Sequence, residues 1–302
     1  MRLTGLHLLL TYQCTLECEH CFVYGSPWQN GVMTINDVRR ILQDASQLGS
    51  VKSIYFEGGE PFLYYATLVR SVEEAWRMGF QVGIVSNGYW ATSYEDALFW
   101  LEPFAGRIQD LSVSSDLYHY SEAISRQSKH AVAAAQQLNI PVGTIEVAQP
   151  DGENAPTAQG QLPPGESGVM YRGRAAERLV HKVPHAAWDS YTTCPYEDLI
   201  DPGRLHVDPF GNLFICQGIV IGNMFQQPLS EIVNRYDPHS HPIVAPLLAG
   251  GPAELARRYN LPHAAQYADA CHECDQMRRL LRPQFPMILA PDEIYGLPLI
   301  NL

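Results

Sequence analysis

From residue 4 to about residue 180 the chain alternates short apolar runs with amphipathic stretches of helical period, a rhythm that few folds accommodate. "TGLHLLLTY" reads as a buried strand. "TINDVRRILQDASQLGS" follows it, with Thr34 as N-cap, apolar Val38, Ile41 and Leu42 on one face, and Gly49 as the stop. The unit recurs as "VKSIYFEGG" with "YATLVRSVEEAWRMGF", "QVGIVSNG" with "SYEDALFWLEPF", and "IQDLSVSSD" with "YHYSEAISRQSKHAVAAAQQLN". "PVGTIEVAQ" comes next, and then "SGVMYRGRA" with "AERLV". Six strand signals with interleaved helices predict an α/β fold whose parallel sheet is curled into a full or partial barrel or left open. Ligands of such sheets bind at the carboxyl ends of the strands. Cys14, the "GGEP" of residues 58–61, "SNG" (86–88), "SSD" (114–116), Glu146 and "RGRA" (172–175) all fall there and should converge on one face.

The rhythm stops near residue 186. "RLHVDPFGNLFIC" reads as two short strands about a turn, followed by "GIVIGN", a helix at "PLSEIVNRY" and a helical tail leading to "CHEC". Two units are therefore expected, residues 1–185 and 186–302. The Pro/Gly-rich stretch 148–168 reads as a loop on the ligand face, a candidate cover for whatever binds there.

Seven cysteines divide into two groups. Cys14, Cys18 and Cys21 stand within eight residues just after the first strand, and Cys194, Cys216, Cys271 and Cys274 fall in the last third. An odd count argues against a disulfide framework. The CxxxCxxC spacing lets three thiolates point inward from one loop, as iron–sulfur ligands do. A zinc site closed by His20 is the alternative. For the second group, a CxxC plus two distant cysteines suits structural zinc and an iron–sulfur cluster equally well.

CxxxCxxC followed by Phe22, together with GGEP after the second strand, resembles the radical S-adenosylmethionine (radical SAM) superfamily over residues 4–175. The resemblance implies a partial (β/α)6 TIM-like barrel with a small C-terminal auxiliary Fe-S cluster domain. It also implies a 4Fe-4S cluster held by Cys14, Cys18 and Cys21, whose fourth iron chelates S-adenosyl-L-methionine. Reductive cleavage of that cofactor gives a 5′-deoxyadenosyl radical that abstracts hydrogen from substrate. Phe22, Gly58, Gly59, Glu60, Ser86, Asn87, Ser114 and Ser115 are carried over as cofactor-binding residues. Gly58 and Gly59 would let backbone approach the methionine moiety, and Glu60 would accept from its ammonium. Strand alternation lets only one of Ser114 and Ser115 face the lumen.

"GNLFIC", then "IGNMFQQPLSEI", then CxxC about fifty residues on is similar to the auxiliary-cluster domain called SPASM in its single-cluster twitch form. That similarity implies a second 4Fe-4S cluster ligated by Cys194, Cys216, Cys271 and Cys274, which would take the electron left on the substrate radical. Sulfatase-maturating members place aspartate after the cysteine matching Cys216; here Gln217 stands there. Glu146, Asp116, Arg172 and Tyr191 are the candidate proton acceptors.

With a net charge of −12 and three lysines, the chain offers no basic surface for a nucleic acid or an anionic membrane. The N-terminal apolar run carries no cleavage site, and a cytoplasmic protein is expected. The resemblance adds a flavodoxin- or ferredoxin-type electron donor as partner and a peptide or small molecule as substrate. The competing reading is a non-catalytic zinc- or cluster-binding protein that keeps the fold.

Overall fold

The computed structural model describes residues 1–121, 125–150 and 165–297. Its centre is a sheet of nine strands. β1 (Gly5–Thr11), β2 (Ser53–Gly58), β3 (Gln81–Ser86), β4 (Asp110–Ser114), β5 (Val142–Val147) and β6 (Gly165–Ser167) lie in sequence order, each parallel to the last. β7 (Ala186–Ala187) lies outside this sheet. On the free side of β1 the sheet continues with β8 (Arg204–Val207), parallel to β1. β9 (Asn212–Cys216) and β10 (Ile219–Asn223) then run antiparallel in turn. β11 (Gln266–Tyr267) pairs with β7 as a separate ribbon. β1 is buried at every position, as a strand covered on both faces must be.

The crossovers are helical. α1 (Ile35–Leu48) starts at Thr34, whose side chain accepts from Asp37 N while Asp37 caps the Thr34 N–H, and it stops at Gly49 in the left-handed region. Val38, Ile41, Leu42 and Ala45 form its buried stripe. α2 (Tyr65–Arg77), α3 (Tyr94–Leu101) and α4 (Arg126–Gln137) repeat the unit. α5 (Ala175–Arg178) is a single turn, and α6 (Leu229–Arg235), α7 (Val244–Tyr259) and α8 (Ala270–Leu281) belong to the later part of the chain. Side chains from β1 through β5 and from β8 line one common cavity, which a flat sheet could not arrange. The parallel sheet is thus curled as a partial TIM-like barrel. Among the described residues no helix is long and apolar enough to cross a membrane.

Two elements depart from the sequence reading. The fourth helix was expected from about residue 118 but begins at Arg126. Asp116 ties Tyr118 N and His119 N into a turn, and Ser125 caps the helix by accepting from Ser128 N. The sixth strand lies at Gly165–Ser167, not in "VMYRGRA". That segment turns at Gly173 (φ 59°) and gives the Arg174 N–H to the Cys21 carbonyl, so its backbone is spent on the cysteine loop and not on the sheet. The expected boundary near residue 186 falls at β7, and the hydrogen-bonded sheet continues beyond it through β8. Residues 151–164, most of the proposed covering loop, lie outside the described residues.

Candidate functional site

The first cysteine loop leaves the end of β1 and is gripped from two sides. Gly59 N donates to the Thr11 carbonyl and Glu60 N to the Gln13 carbonyl, both at 2.8 Å. A Cβ on Gly59 would stand 2.1 Å from Gln13 O, and one on Gly58 would stand 2.4 Å from Thr11 O. The tandem glycine is therefore required by the approach of β2 to the cysteine loop itself. From the other side Arg174, buried, donates from Nη1 to Cys18 O (2.7 Å) and from Nη2 to Gly25 O (2.9 Å). Gly173 lies so close that a Cβ would sit 2.6 Å from Phe22 Cα.

Cys14, Cys18 and Cys21 line a cavity of about 170 Å³. Leu16 N donates to Cys14 Sγ at 3.4 Å, and Asn87 Nδ2 approaches it at 3.5 Å. Gly25 N reaches Cys21 Sγ at 3.2 Å. Burial pushes the Cys14 thiol up to about 12 and raises Cys18 further. Such thiols ionise readily only against a bound cation, and N–H donors aimed at sulfur suit a ligated thiolate.

The other carried-over residues separate. Phe22, Gly58, Gly59, Ser86, Asn87, Ser114, Asp116 and Arg172 line the cavity. Glu60 does not: it is fully buried and accepts from Phe62 N (3.0 Å), Ser86 Oγ (2.9 Å) and Asn87 N (2.7 Å). It braces the β3 loop from behind, and burial raises its carboxyl to about 7. Ser115 is buried off the cavity, so alternation resolves the serine pair in favour of Ser114. The same alternation turns Ile145 and Val147 inward and leaves Glu146 off the lining. Tyr191 is off it too, donating from its hydroxyl to Tyr267 O.

The second group converges from four places in the chain. Cys194 comes from a loop, Cys216 from the end of β9, and Cys271 and Cys274 from one face of the first turns of α8. All four line one pocket, together with Arg172 and Arg278. Burial pushes Cys194 up to about 11 and Cys274 to about 12. Arg278, buried, donates to Gln217 O (2.6 Å). Arg172 donates to Glu197 Oε1 (3.0 Å), lies 3.7 Å from Cys216 Sγ, and holds its guanidinium 5.6 Å from the centre of the Phe22 ring. Arg172 thus lines both cavities, while its buried Nε has no hydrogen bond.

Four thiols with two buried guanidiniums form a donor set suited to an anionic cluster. Tetrahedral zinc would draw its sulfurs to about 3.8 Å of one another. Among the described residues, the groups of three or more ligand atoms all within 4.8 Å are two histidine–carboxylate triads, and neither cysteine group is one of them. Thiols not drawn to that spacing are compatible with a cubane, whose body sits between its thiolates. Sequence reading missed Arg278, His7, Glu57 and His206. The "RGRA" motif did flag the position of Arg174.

The profile of the radical SAM superfamily matches residues 8–154. A tungsten-containing aldehyde ferredoxin oxidoreductase cofactor-modifying protein from Pyrococcus furiosus is 37% identical over 86 residues, covering 28% of this chain and 23% of that protein. An S-adenosylmethionine-dependent nucleotide dehydratase from a Fibrobacter species is 24% identical over 149 residues, or 47% of this chain and 43% of that protein. The chain thus spans less than half the length of these curated relatives. A solved structure described as native anSMEcpe with bound AdoMet aligns at a TM-score of 0.51 and 12% identity. It covers 93% of this chain and 97% of that one, a likeness of fold.

Proposed function

Because this chain belongs to the radical SAM superfamily, with the matched domain at residues 8–154, we propose that it is a two-cluster enzyme that oxidises a peptide or small molecule. Cys14, Cys18 and Cys21 would hold the first 4Fe-4S cluster with S-adenosylmethionine, and Cys194, Cys216, Cys271 and Cys274 the second. Bound there, the first cluster and its cofactor supply the 5′-deoxyadenosyl radical chemistry of the superfamily.

The chain's own contribution is position and exclusion. Asn87 and the N–H groups of Leu16 and Gly25 stabilise thiolate charge in the first loop. Glu60 holds Ser86 and Asn87 in place, and the apolar wall of Val85, Ile145, Val147 and Met170 keeps water from the cavity. Asp116 has both carboxylate oxygens engaged and serves as a brace, not as a free base.

One observation carries the oxidative reading. Arg172 lines both cavities, resting against the Phe22 ring on one side and Cys216 on the other. An acceptor beside Cys216 would then adjoin the cavity in which substrate sits. A ferredoxin- or flavodoxin-type protein would supply the first electron. Iron and sulfide analysis of anaerobically reconstituted protein tests the reading: about eight irons per chain supports two cubanes, whereas four irons, or stoichiometric zinc on the later cysteines, refutes it.

A further inference from the structure

The same cavity is lined by a polar group that this reading does not use. His7 of β1, Glu57 of β2 and His206 of β8 all face it. The strand register makes this unavoidable. His7 sits laterally between Tyr55 and His206, and Glu57, two residues after Tyr55, projects to the same side.

His7 Nδ1 lies 3.2 Å from Glu57 Oε2 and His206 Nε2 lies 3.1 Å from Glu57 Oε1, with one ligand atom from each residue inside a 4.8 Å group. Donor atoms shared by a metal at roughly 2.0–2.2 Å stand about 3.0–3.5 Å apart. The spacing is therefore already that of a ligand set. A purely structural network would align its polar contacts, yet buried Glu57 Oε1 meets His206 Nε2 at 3.1 Å without hydrogen-bond geometry. The second histidine–carboxylate triad, His20, Asp116 and His119, shows the contrast. There Asp116 accepts from Tyr118 N, His119 N, His119 Nδ1 and Val147 N, leaving neither oxygen free.

Arg204 does not occupy the site. Its Nη1 stays 3.5 Å from His206 Nδ1 and 3.4 Å from Nε2, outside the triad of Glu57 and the two imidazoles. We propose that His7, Glu57 and His206 bind one divalent transition-metal ion whose remaining positions open on the substrate cavity, where an oxygen donor of the substrate would complete the coordination. Two imidazoles and one carboxylate suit Zn²⁺, Fe²⁺ or Mn²⁺.

The test uses the full chain with its cysteines intact, reconstituted with iron and sulfide, treated with EDTA and desalted. Equilibrium dialysis against Zn²⁺ and, separately, Mn²⁺ should give one ion per chain beyond the clusters. Affinity should fall at least about tenfold in Glu57→Gln and further in His7→Asn/His206→Asn, with iron content and circular dichroism unchanged. Mn²⁺ in the parent protein should also show spin-echo modulation from directly bound imidazole nitrogen, a readout that needs no variant to fold. Failure of the parent to bind either ion, absence of that nitrogen signal, or equal affinity in folded variants would overturn the site. None of these outcomes depends on turnover or on the second cluster.

Discussion

The two cysteine groups are built in opposite ways. Three thiols of the first stand in a single loop, and the rest of the barrel comes to meet them through Gly58, Gly59 and Arg174. The four thiols of the second are brought together by a loop, a strand end and a helix spread over residues 194–274. A local site is specified before the fold is complete and can be emptied without undoing it. A site assembled from distant segments is itself part of what holds those segments together.

The sharpest way to break this comparison is to remove each group in turn. Replacing Cys14, Cys18 and Cys21 with Ala should abolish 5′-deoxyadenosine formation after dithionite reduction while leaving the second cluster's absorption and the thermal transition nearly intact. Parent-level 5′-deoxyadenosine would sink the assignment. Changing Cys271 and Cys274 to Ala should do the reverse. 5′-Deoxyadenosine persists, iron falls from about eight to about four per chain, and calorimetry shows the part around α7 and α8 melting at lower temperature.

Smaller changes sharpen the contrast. Arg174→Met removes two charged hydrogen bonds from the first loop, a loss of about 3 kcal/mol. It should loosen retention of the first cluster during gel filtration without touching the second. The smallest effect is expected at the seam between the two regions, where Tyr12 at the end of β1 donates to Asp208 beyond β8 (3.1 Å). Burial pushes Asp208 up to about 6. The folded chain therefore keeps a proton there that the unfolded chain has lost, and the associated stability is present below the unfolded value near pH 4 and disappears as pH rises through 6. Urea melts from pH 4 to 7 should show a decline that Asp208→Asn reduces by on the order of 2 kcal/mol. Identical slopes would remove Asp208 from the account.

What could be read from sequence follows the same division. The first cysteine loop and GGEP are legible because their chemistry is packed into a few residues each, and α1 is legible because Thr34 and Gly49 mark its ends. The late cysteines could be grouped by elimination, but Arg172 and Arg278 between them could not. The triad of His7, Glu57 and His206 left no trace, since its members lie on three strands separated by 50 and 149 residues and meet only through strand register. "VMYRGRA" looked like a strand because its alternation is right. Its backbone was claimed by the cysteine loop, a competitor no local pattern reveals.

The parallel pairing of β1 with β8 also bears on how the molecule is made. Gly5 meets Arg204 across that ladder, and Arg2 N reaches Asp201, 199 residues away. At about 5–20 residues per second, β1 leaves the ribosome roughly 10–40 s before its partner is synthesised. Through that interval a fully buried, leucine-rich strand presents one open edge, the arrangement most prone to pairing with a neighbouring nascent chain. Overproduction should therefore yield insoluble protein in proportion to synthesis rate, and slower translation or chaperone supply should restore the soluble fraction. A fragment ending at residue 185 would keep that edge open permanently.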